Sequence, residues 1–126
     1  HRFTVEGRVG IGTTTPTETL DVNGTVKATA FRVGGTALNV PDYVFKKDYD
    51  LLSLQEVEEA IEELGHLPNI PSEKKIKKDG LDVSQMQMKL LEKVEELTLY
   101  MIQVNKQNLE LSQEVQALKR RLGDTP

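Results

Sequence analysis

The chain has 126 residues, which is enough for one ordinary domain or two small ones. It has no cysteine, and this excludes disulfides, thiolate metal sites and cysteine nucleophiles. Only 5% of the residues are aromatic and 29% are charged, which favours an elongated protein whose apolar surface is covered by copies of itself.

The net charge of −4 is divided unevenly along the chain. Residues 1–41 hold four Lys or Arg against three Asp or Glu, and residues 42–126 hold twelve against seventeen. Neither part has the basic excess with which a nucleic-acid binder displaces phosphate counterions. No apolar run approaches the roughly 20 residues of a membrane-spanning helix, so we expect neither nucleic-acid binding nor membrane insertion.

Residues 1–41 carry one short pattern three times, in which a large apolar residue, a polar residue and Val precede a glycine. Apolar and polar residues alternate before each glycine, which is typical of half-buried strands. The three copies are FTVEGRV at 3–9, LDVNGTV at 20–26 and FRVGGTA at 31–37. This segment therefore predicts a shaft of short strands.

Two dipeptides, Asn23-Gly24 and Gly34-Gly35, predict two-residue β-turns between these strands, because Asn and Gly accept positive φ angles. So few short strands with so few large side chains are marginal on their own in water. We therefore expect the strands of identical chains to intertwine. The stretch VGIGTTTPTETL at 9–20 fits an extended chain wrapped closely around its copies, and a flexible linker is the alternative.

The next segment, residues 42–82, is predicted to be a junction between the shaft and a long helix. Its start holds most of the aromatic side chains of the chain. Tyr43, Phe45 and Tyr49 favour a strand and a turn that cap the shaft.

Two short helices are predicted later in this junction. Ser53 and Glu56 form a capping-box pattern, in which each side chain satisfies a backbone N–H at a helix start. Apolar residues recur at helical spacing after it, and Gly65 is a typical stop, so a helix is predicted over 54–64. The final serine of the turn HLPNIPS can cap a second helix over 73–78.

The final segment, 83–126, predicts one long helix, since neither Pro nor Gly interrupts it from about Val83 to Leu122. Apolar residues within it alternate spacings of four and three, a heptad pattern typical of a coiled coil. The ten seam positions, alternately d and a, are Leu90, Val94, Leu97, Met101, Val104, Asn108, Leu111, Val115, Leu118 and Leu122.

The first half of this helix is apolar outside the seam as well, at Leu91, Leu99, Tyr100 and Ile102. It needs cover on more than one side, and we expect the 54–64 helix and the HLPNIP loop to pack there. The second half is mostly polar outside the seam, so this tail is expected to stand free as a bare coiled coil.

Asn108 occupies an a position, where a buried polar residue fixes register and chain number at a cost in stability. Holding a water or an anion on the axis is an alternative role. Val at a with Leu at d favours two chains, whereas the β segment and the resemblance described below favour three. Glu114 at g and Lys119 at e fit a parallel arrangement, so we expect a parallel homotrimer, with a dimer as the alternative.

The sequence holds no constellation that predicts catalysis, a cofactor or a bound metal. His66 stands alone in a loop, and Ser72-x-x-Lys75 has the spacing of some acylases without their supporting motifs. The glycines of VGIGTTT lack the patterns of phosphate-binding loops. Three glutamate pairs are expected to be solvated helix faces rather than an acid and a base, namely Glu58-Glu59, Glu62-Glu63 and Glu95-Glu96. We therefore expect a protein that is not an enzyme.

Two stretches resemble known sequences. VGIGTTTPTETLDVNGTVKATAF resembles the V-G-I-G-T-x-x-P-x-x-x-L-x-V-x-G segment found before the C-terminal domains of many phage tail fibres and bacterial fibre-like surface proteins. The stretch from Pro41 to Ile102 resembles the tail-fibre-like C-terminal domain that often follows it. Its marks are DYVF at 42–45, HLP at 66–68, IPS at 70–72 and EELTLY at 95–100.

The resemblance implies a C-terminal trimerisation and assembly domain of an extracellular fibre, at a cell surface or on a virion or tail particle. Two other roles stay open, a tip that binds a receptor or glycan and an intramolecular chaperone that cuts itself off. The Ser-Asp motif followed by a Lys that such chaperones use is absent from this sequence. The expected architecture is an elongated α+β homotrimer with intertwined short strands, short helices and a long parallel coiled coil.

Overall fold

The computed structural model describes residues 2–123 and contains both strands and helices. Residue 1 and residues 124–126, at the ends of the predicted segments 1–41 and 83–126, lie outside the described residues. The elements are β1 (Val9–Ile11), β2 (Leu20–Val22), α1 (Leu54–Leu64), α2 (Glu73–Asp79) and α3 (Val83–Gly123), with short 3-10 turns at Gly35–Ala37 and Asp42–Phe45. The chain divides into two compact units, and the first ends at Arg32 and the second begins at Val33.

The first unit is built on β1 and β2, which run parallel with Val9 opposite Leu20. The loop 12–19 connects them. The N–H of Asn23 extends the ladder by donating to the carbonyl oxygen of Ile11 at 2.8 Å. The strands of this unit therefore pair within one chain.

Two glycines permit this close arrangement. Gly12 has a φ of +75°, and a Cβ added there would lie 2.9 Å from the carbonyl oxygen of Asn23. A Cβ added to Gly10 would lie 2.5 Å from the carbonyl oxygen of Thr13. Since both distances are too short for a side chain, the G-I-G of this segment encodes a tight local fold.

The predicted β-turns at Asn23-Gly24 and Gly34-Gly35 are wrong. Neither Asn23 nor Gly24 has the positive φ that the predicted hairpin needs, because Asn23 closes the parallel ladder and its amide donates to the carbonyl oxygen of Gly12 at 3.3 Å. Gly34 has a φ of −59°, and Gly35 begins a 3-10 turn. Of the three repeats, the second contains β2, the first contributes only its last residue to β1, and the third forms no strand.

In the second unit, the bounds of α1 and α2 follow from local capping signals. The N–H of Glu56 donates to Oγ of Ser53 at 3.1 Å, and the N–H of Ser53 donates to the Glu56 carboxylate at 2.8 Å, which completes the predicted capping box. Gly65 adopts a left-handed conformation and ends α1. Ser72 caps α2 by accepting from the N–H of Lys75 at 3.1 Å. α1 has the predicted bounds, and α2 is one residue longer than predicted.

The long helix α3 is confirmed, with 41 residues and a length of about 60 Å. It begins at Val83 as predicted and ends at Gly123. Among the helices of residues 2–123, none combines the length and the apolar content that crossing a membrane requires.

The most buried side chains lie where the junction folds onto α3. Val44 is 1% exposed, and Pro41 is also fully buried. The strand predicted here is wrong, because the segment Asp42–Phe45 forms a 3-10 turn that contacts α3. A strand would point Tyr43 and Val44 to opposite faces, whereas a 3-10 turn separates them by about a third of a turn and lets both reach α3.

Candidate self-association surface

Two tyrosines of the junction bind glutamates on successive turns of α3. The hydroxyl of Tyr43 donates to the carboxylate of Glu92, and the hydroxyl of Tyr49 donates to Glu96 at 2.5 Å. The two rings lie 5.8 Å apart in a tilted contact. An ionised acceptor makes both hydrogen bonds stronger than neutral ones, so they fix the junction firmly on the helix.

Tyr100 makes a third link, in which the donor lies on α3 and the acceptor lies in the junction. Its ring is 8% exposed, and its hydroxyl donates to the carbonyl oxygen of Leu52 at 2.6 Å. Leu52 lies just before α1, so this bond holds the start of α1 beside α3. Together these side chains form what we call the tyrosine clasp: Tyr43, Tyr49, Glu92, Glu96 and Tyr100.

The carboxylates of the clasp oppose ionisation of its phenols. The hydrogen bond to Glu92, with burial, raises the pKa of Tyr43 to about 12. Burial and the bond to Glu96 raise the pKa of Tyr49 as well. The clasp therefore keeps its hydroxyl donors protonated well above neutral pH.

Glu92 is a buried but well-partnered carboxylate. It is 6% exposed and accepts hydrogen bonds from Tyr43 and from the side-chain amide of Asn69, the latter at 3.0 Å. The Nζ of Lys93 lies 3.8 Å away. Burial alone would raise the pKa of Glu92, but these hydrogen bonds and the nearby positive charge outweigh it, and the pKa is lowered.

Glu95, one turn along α3, is equally buried and poorly partnered. It is 7% exposed, and its Oε2 has no hydrogen-bond partner among the described residues. Burial and the adjacent carboxylate of Asp42 raise the pKa of Glu95. The pKa values of the two glutamates are therefore shifted in opposite directions, down for Glu92 and up for Glu95.

The clasp covers one side of α3 and leaves the opposite side open. A helix turns by about 100° per residue, which puts Val94 about 200° and Met101 about 180° around the axis from Glu92. Val94 is 56% exposed and Met101 is 66% exposed. Val94 and Met101 of the predicted seam therefore face away from the junction, whereas Leu97 of the seam lies beside α1.

All ten predicted seam residues lie on α3 and form one stripe along it. Asn108 is exposed, and Val104 is half-buried. The other eight are each more than a third exposed: Leu90, Val94, Leu97, Met101, Leu111, Val115, Leu118 and Leu122. The pairing of this stripe with other chains stays a prediction.

The second half of α3 has no cover from its own chain within the described residues. Every side chain from Asn105 to Gly123 is exposed. Leu111 and Leu118 are 58% and 54% exposed, although they are large and apolar. Helices in proteins take most of their stability from the packing of an apolar face, and the described part of the chain supplies no such packing to this half.

A small apolar groove of about 80 Å³ runs between α1 and α3. Leu97 and Tyr100 line it from α3, and Val57 lines it from α1. The loop after α1 adds Leu67 and Pro68. α1 and this loop therefore lie beside Tyr100 in the first half of α3, as predicted, whereas Leu91 and Ile102, which the same prediction expected them to cover, are 37% and 47% exposed.

A larger and more polar cleft of about 320 Å³ opens on the covered side of α3. Its polar lining includes Asn39, Tyr43, Asn69, Gln85 and Glu92. Asn69 has a φ of +62°, an uncommon backbone conformation that places its amide on Glu92. The cleft therefore lies on the side of α3 that faces away from Val94 and Met101 of the predicted seam.

The first unit leaves its apolar side chains uncovered. Among residues 2–32 no side chain is buried. Phe3 is 90% exposed, Phe31 is 76% exposed, and Ile11 and Leu20 are each more than half exposed. Two short strands thus hold this unit together without a core.

The prediction that Glu95-Glu96 is a solvated helix face is wrong, because the junction folds over this face and buries Glu95. The pairs Glu58-Glu59 and Glu62-Glu63 are exposed as expected. The clasp was not predicted from sequence. The pattern that could have indicated it is the i, i+4 spacing of Glu92 and Glu96 opposite the seam, together with Tyr43 and Tyr49 in the junction. Within residues 2–123, no three His, Asp or Glu side chains are grouped to hold a metal ion.

No family model matches this sequence, and comparisons with curated proteins and with solved structures found no match.

Proposed function

We propose that this chain is a structural assembly domain that holds three copies in parallel at the C-terminal end of an extracellular fibre of phage-tail or bacterial-surface type. One observation carries the proposal. The apolar stripe on α3 is exposed along the side of the helix opposite the clasp. The chain's own elements are therefore already used on the other side, and identical helices are the simplest cover for the stripe.

The physical gain from association is large. Each Leu, Val or Met of the stripe that leaves water contributes about 1.5–3 kcal/mol. Nine of the ten positions are apolar, and this gain recurs in every chain of the assembly. Association costs about 4–15 kcal/mol of translational and rotational freedom, together with the ordering of side chains at the interface, so only part of this gain appears as binding free energy.

Two further arguments concern chain number and location. The exposed apolar residues of the first unit favour three chains over two, because a third chain gives short strands more neighbours to pack against. The extracellular fibre setting rests on the resemblance of the V-G-I-G-T segment and of the stretch from Pro41 to Ile102.

Sedimentation equilibrium of the chain, with native mass spectrometry, tests the proposal. We expect one species of three chains for the unmodified protein and for Gln103→Asp, which adds a charge outside the seam. Leu97→Asp should yield single chains, because it puts a charge from every copy on a dry axis. If the unmodified protein is a monomer, the proposal is contradicted. If it is a dimer, the proposed chain number of three is wrong.

A second candidate function is recognition of a surface glycan. The observation that favours it is the cleft of about 320 Å³, which lies in the size range of ligand pockets. Its amides, Asn39, Asn69 and Gln85, can both donate to and accept from sugar hydroxyls.

A glycan array probed with the assembled protein tests this second candidate. We expect retained binding after Gln103→Asp and loss of binding after Gln85→Ala, since only Gln85 lines the cleft. A blank array with the unmodified protein removes the glycan hypothesis and leaves the assembly proposal intact.

A further inference from the structure

We propose that Asp42 and Glu95 form a carboxyl pair that binds one proton, and that this shared proton fastens the start of the 3-10 turn Asp42–Phe45 to α3. Both residues belong to the same chain, so the pair does not depend on the assembly proposed above. A proton at this site gives a role to the buried Oε2 of Glu95, which has no hydrogen-bond partner among the described residues.

Glu95 lies in a position that disfavours a free negative charge. It is 7% exposed, and its Oε2 receives no hydrogen bond within the described residues. The cation on this side of α3 is engaged elsewhere, since the Nζ of Lys93 lies 2.9 Å from Glu96 and 3.8 Å from Glu92. A buried carboxylate with neither a cation nor a donor has lost most of its hydration, and binding a proton removes that cost.

The ionisable groups that face Glu95 from both packed elements offer it no positive charge. Asp42 lies beside it on the 3-10 turn, within hydrogen-bonding reach. Glu92 lies one turn before it on α3, and the nearby hydroxyl of Tyr43 is already bonded to Glu92. Carboxyl groups this close favour the state in which one of them holds a proton.

Burial decides which member of the pair holds the proton. Asp42 is exposed and keeps water around its charge, whereas Glu95 is buried. The protonated carboxyl of Glu95 then donates to the carboxylate of Asp42, and a hydrogen bond to an ionised acceptor is stronger than one between neutral groups. The pair therefore joins α3 to the first residue of the 3-10 turn.

The turn is thereby held by two glutamates in opposite protonation states. Glu92 must be ionised to bind the hydroxyl of Tyr43 strongly, and Glu95 must be protonated to donate to Asp42. The pKa of Glu92 is lowered and that of Glu95 is raised, so the first contact is lost as the pH falls through the lowered value and the second as the pH rises through the raised one. The turn is therefore fastened most firmly at an acidic pH between the two.

Titration of the Glu95 carboxyl by NMR tests the proton. The protein carries isotopically labelled glutamate, and Glu95→Gln identifies the signal by its loss. We expect Glu95 to titrate at a higher pH in the folded protein than in the same protein unfolded in urea. Asp42→Asn should lower this midpoint because it removes the facing charge. The matched control is Asp48→Asn, at another exposed acid of the junction, which should leave the midpoint unchanged.

Two results of this titration overturn the proposal. One is a folded-state midpoint at or below the unfolded one, which means that Glu95 has no excess affinity for a proton. The other is an Asp42→Asn midpoint that equals that of the unmodified protein, which means that Asp42 is not the partner.

Amide exchange at Val44 tests the fastening of the turn. The N–H of Val44 donates to the carbonyl oxygen of Pro41 at 2.9 Å, so its protection reports whether the turn is closed. Relative to the intrinsic exchange rate, we expect this protection to fall several-fold as the pH rises through the midpoint of Glu95. Glu95→Gln should abolish the fall, because its side-chain amide donates to Asp42 at every pH. An equal fall in both proteins, or none in the unmodified one, overturns the fastening and leaves the assembly proposal standing.

Discussion

The two halves of α3 differ in how much of their surface the rest of the chain covers. In the first half, the junction and α1 bury Glu92, Glu95 and Tyr100 on one side of the helix. In the second half, from Asn105 onward, every described side chain is exposed. The same apolar stripe runs through both halves, so the first half combines tertiary structure with an open seam, and the second half has the seam alone.

This difference implies that, in the proposed assembly, folding and association depend mainly on different faces of one helix. The first half can keep its helical form through the clasp, whatever happens at the seam. From Asn105 to Gly123 the described chain gives the helix no such support, although helices in proteins take most of their stability from the packing of an apolar face. Damage to the seam should therefore unfold the second half and spare the first.

The largest expected effect comes from Leu111→Asp, which should break this comparison at the second half. An unpaired charge on the axis costs about 3–5 kcal/mol per chain. We expect dissociation and loss of amide-exchange protection after Asn105, with protection retained around Tyr100. Gln113→Asp, on the outer face, is the control, and equal loss of protection in both halves contradicts the separation.

Val44→Ala should act on the first half alone. Val44 is fully buried under the clasp, and removing two methyl groups there costs about 2 kcal/mol. Thermal unfolding followed by circular dichroism should show a lower melting temperature for the first half, with the chain number unchanged. Phe45→Ala, at an exposed neighbour, should have a small effect, and a similar loss in both variants counts against Val44 as the core residue.

Glu92→Gln should weaken the clasp by about 1.5 kcal/mol at neutral pH, because an ionised acceptor is lost. The pKa of Glu92 is lowered on folding, so its contribution is present above its ordinary value and is lost as the pH falls through the lowered one. Chemical denaturation as a function of pH should show this acid-side loss in the unmodified protein and not in the variant.

Asn108→Val tests the seam itself and leaves the clasp unchanged. A polar group on the axis is replaced by an apolar one, which should stabilise the assembly by about 1 kcal/mol. The same change should broaden the distribution of chain numbers, since register is less strongly fixed. Native mass spectrometry of the variant measures this distribution, and a single unchanged chain number contradicts the register role.

Glu95→Gln should have the smallest effect and the opposite sign to Glu92→Gln. The pKa of Glu95 is raised on folding, so its contribution is present below its ordinary value and is lost as the pH rises through the raised one. The variant should be more stable than the unmodified protein at neutral pH and should lose less stability between acid and neutral pH. Greater stability of the unmodified protein at neutral pH contradicts this.

The helices could be predicted from sequence because their signals are local. The capping box of Ser53 and Glu56 and the left-handed Gly65 act within a few residues, and they set the bounds of α1. The uninterrupted run after Val83 did the same for α3. Heptad spacing placed the stripe on one side of that helix, although whether other chains cover it is a question of association that one chain does not answer.

The remaining structure depends on contacts between distant residues, and sequence patterns do not report these. Tyr43 bonds to Glu92, which lies 49 positions further along the chain. Because the residues that cover this face of α3 are distant in sequence, the pattern around Glu95 gave no sign that Glu95 is buried. The parallel pairing of β1 and β2 was missed for a related reason. Asn23-Gly24 is a typical turn signal, but the contacts of Asn23 with Gly12 and Ile11 take its place.

The placement of clasp and seam on opposite sides of α3 has a consequence for variation. A mutation that reshapes the cleft or the junction need not disturb the stripe, and a change of stripe need not disturb the junction. In the proposed assembly, the surface around the cleft can therefore change under selection while the residues that pair the copies stay constant.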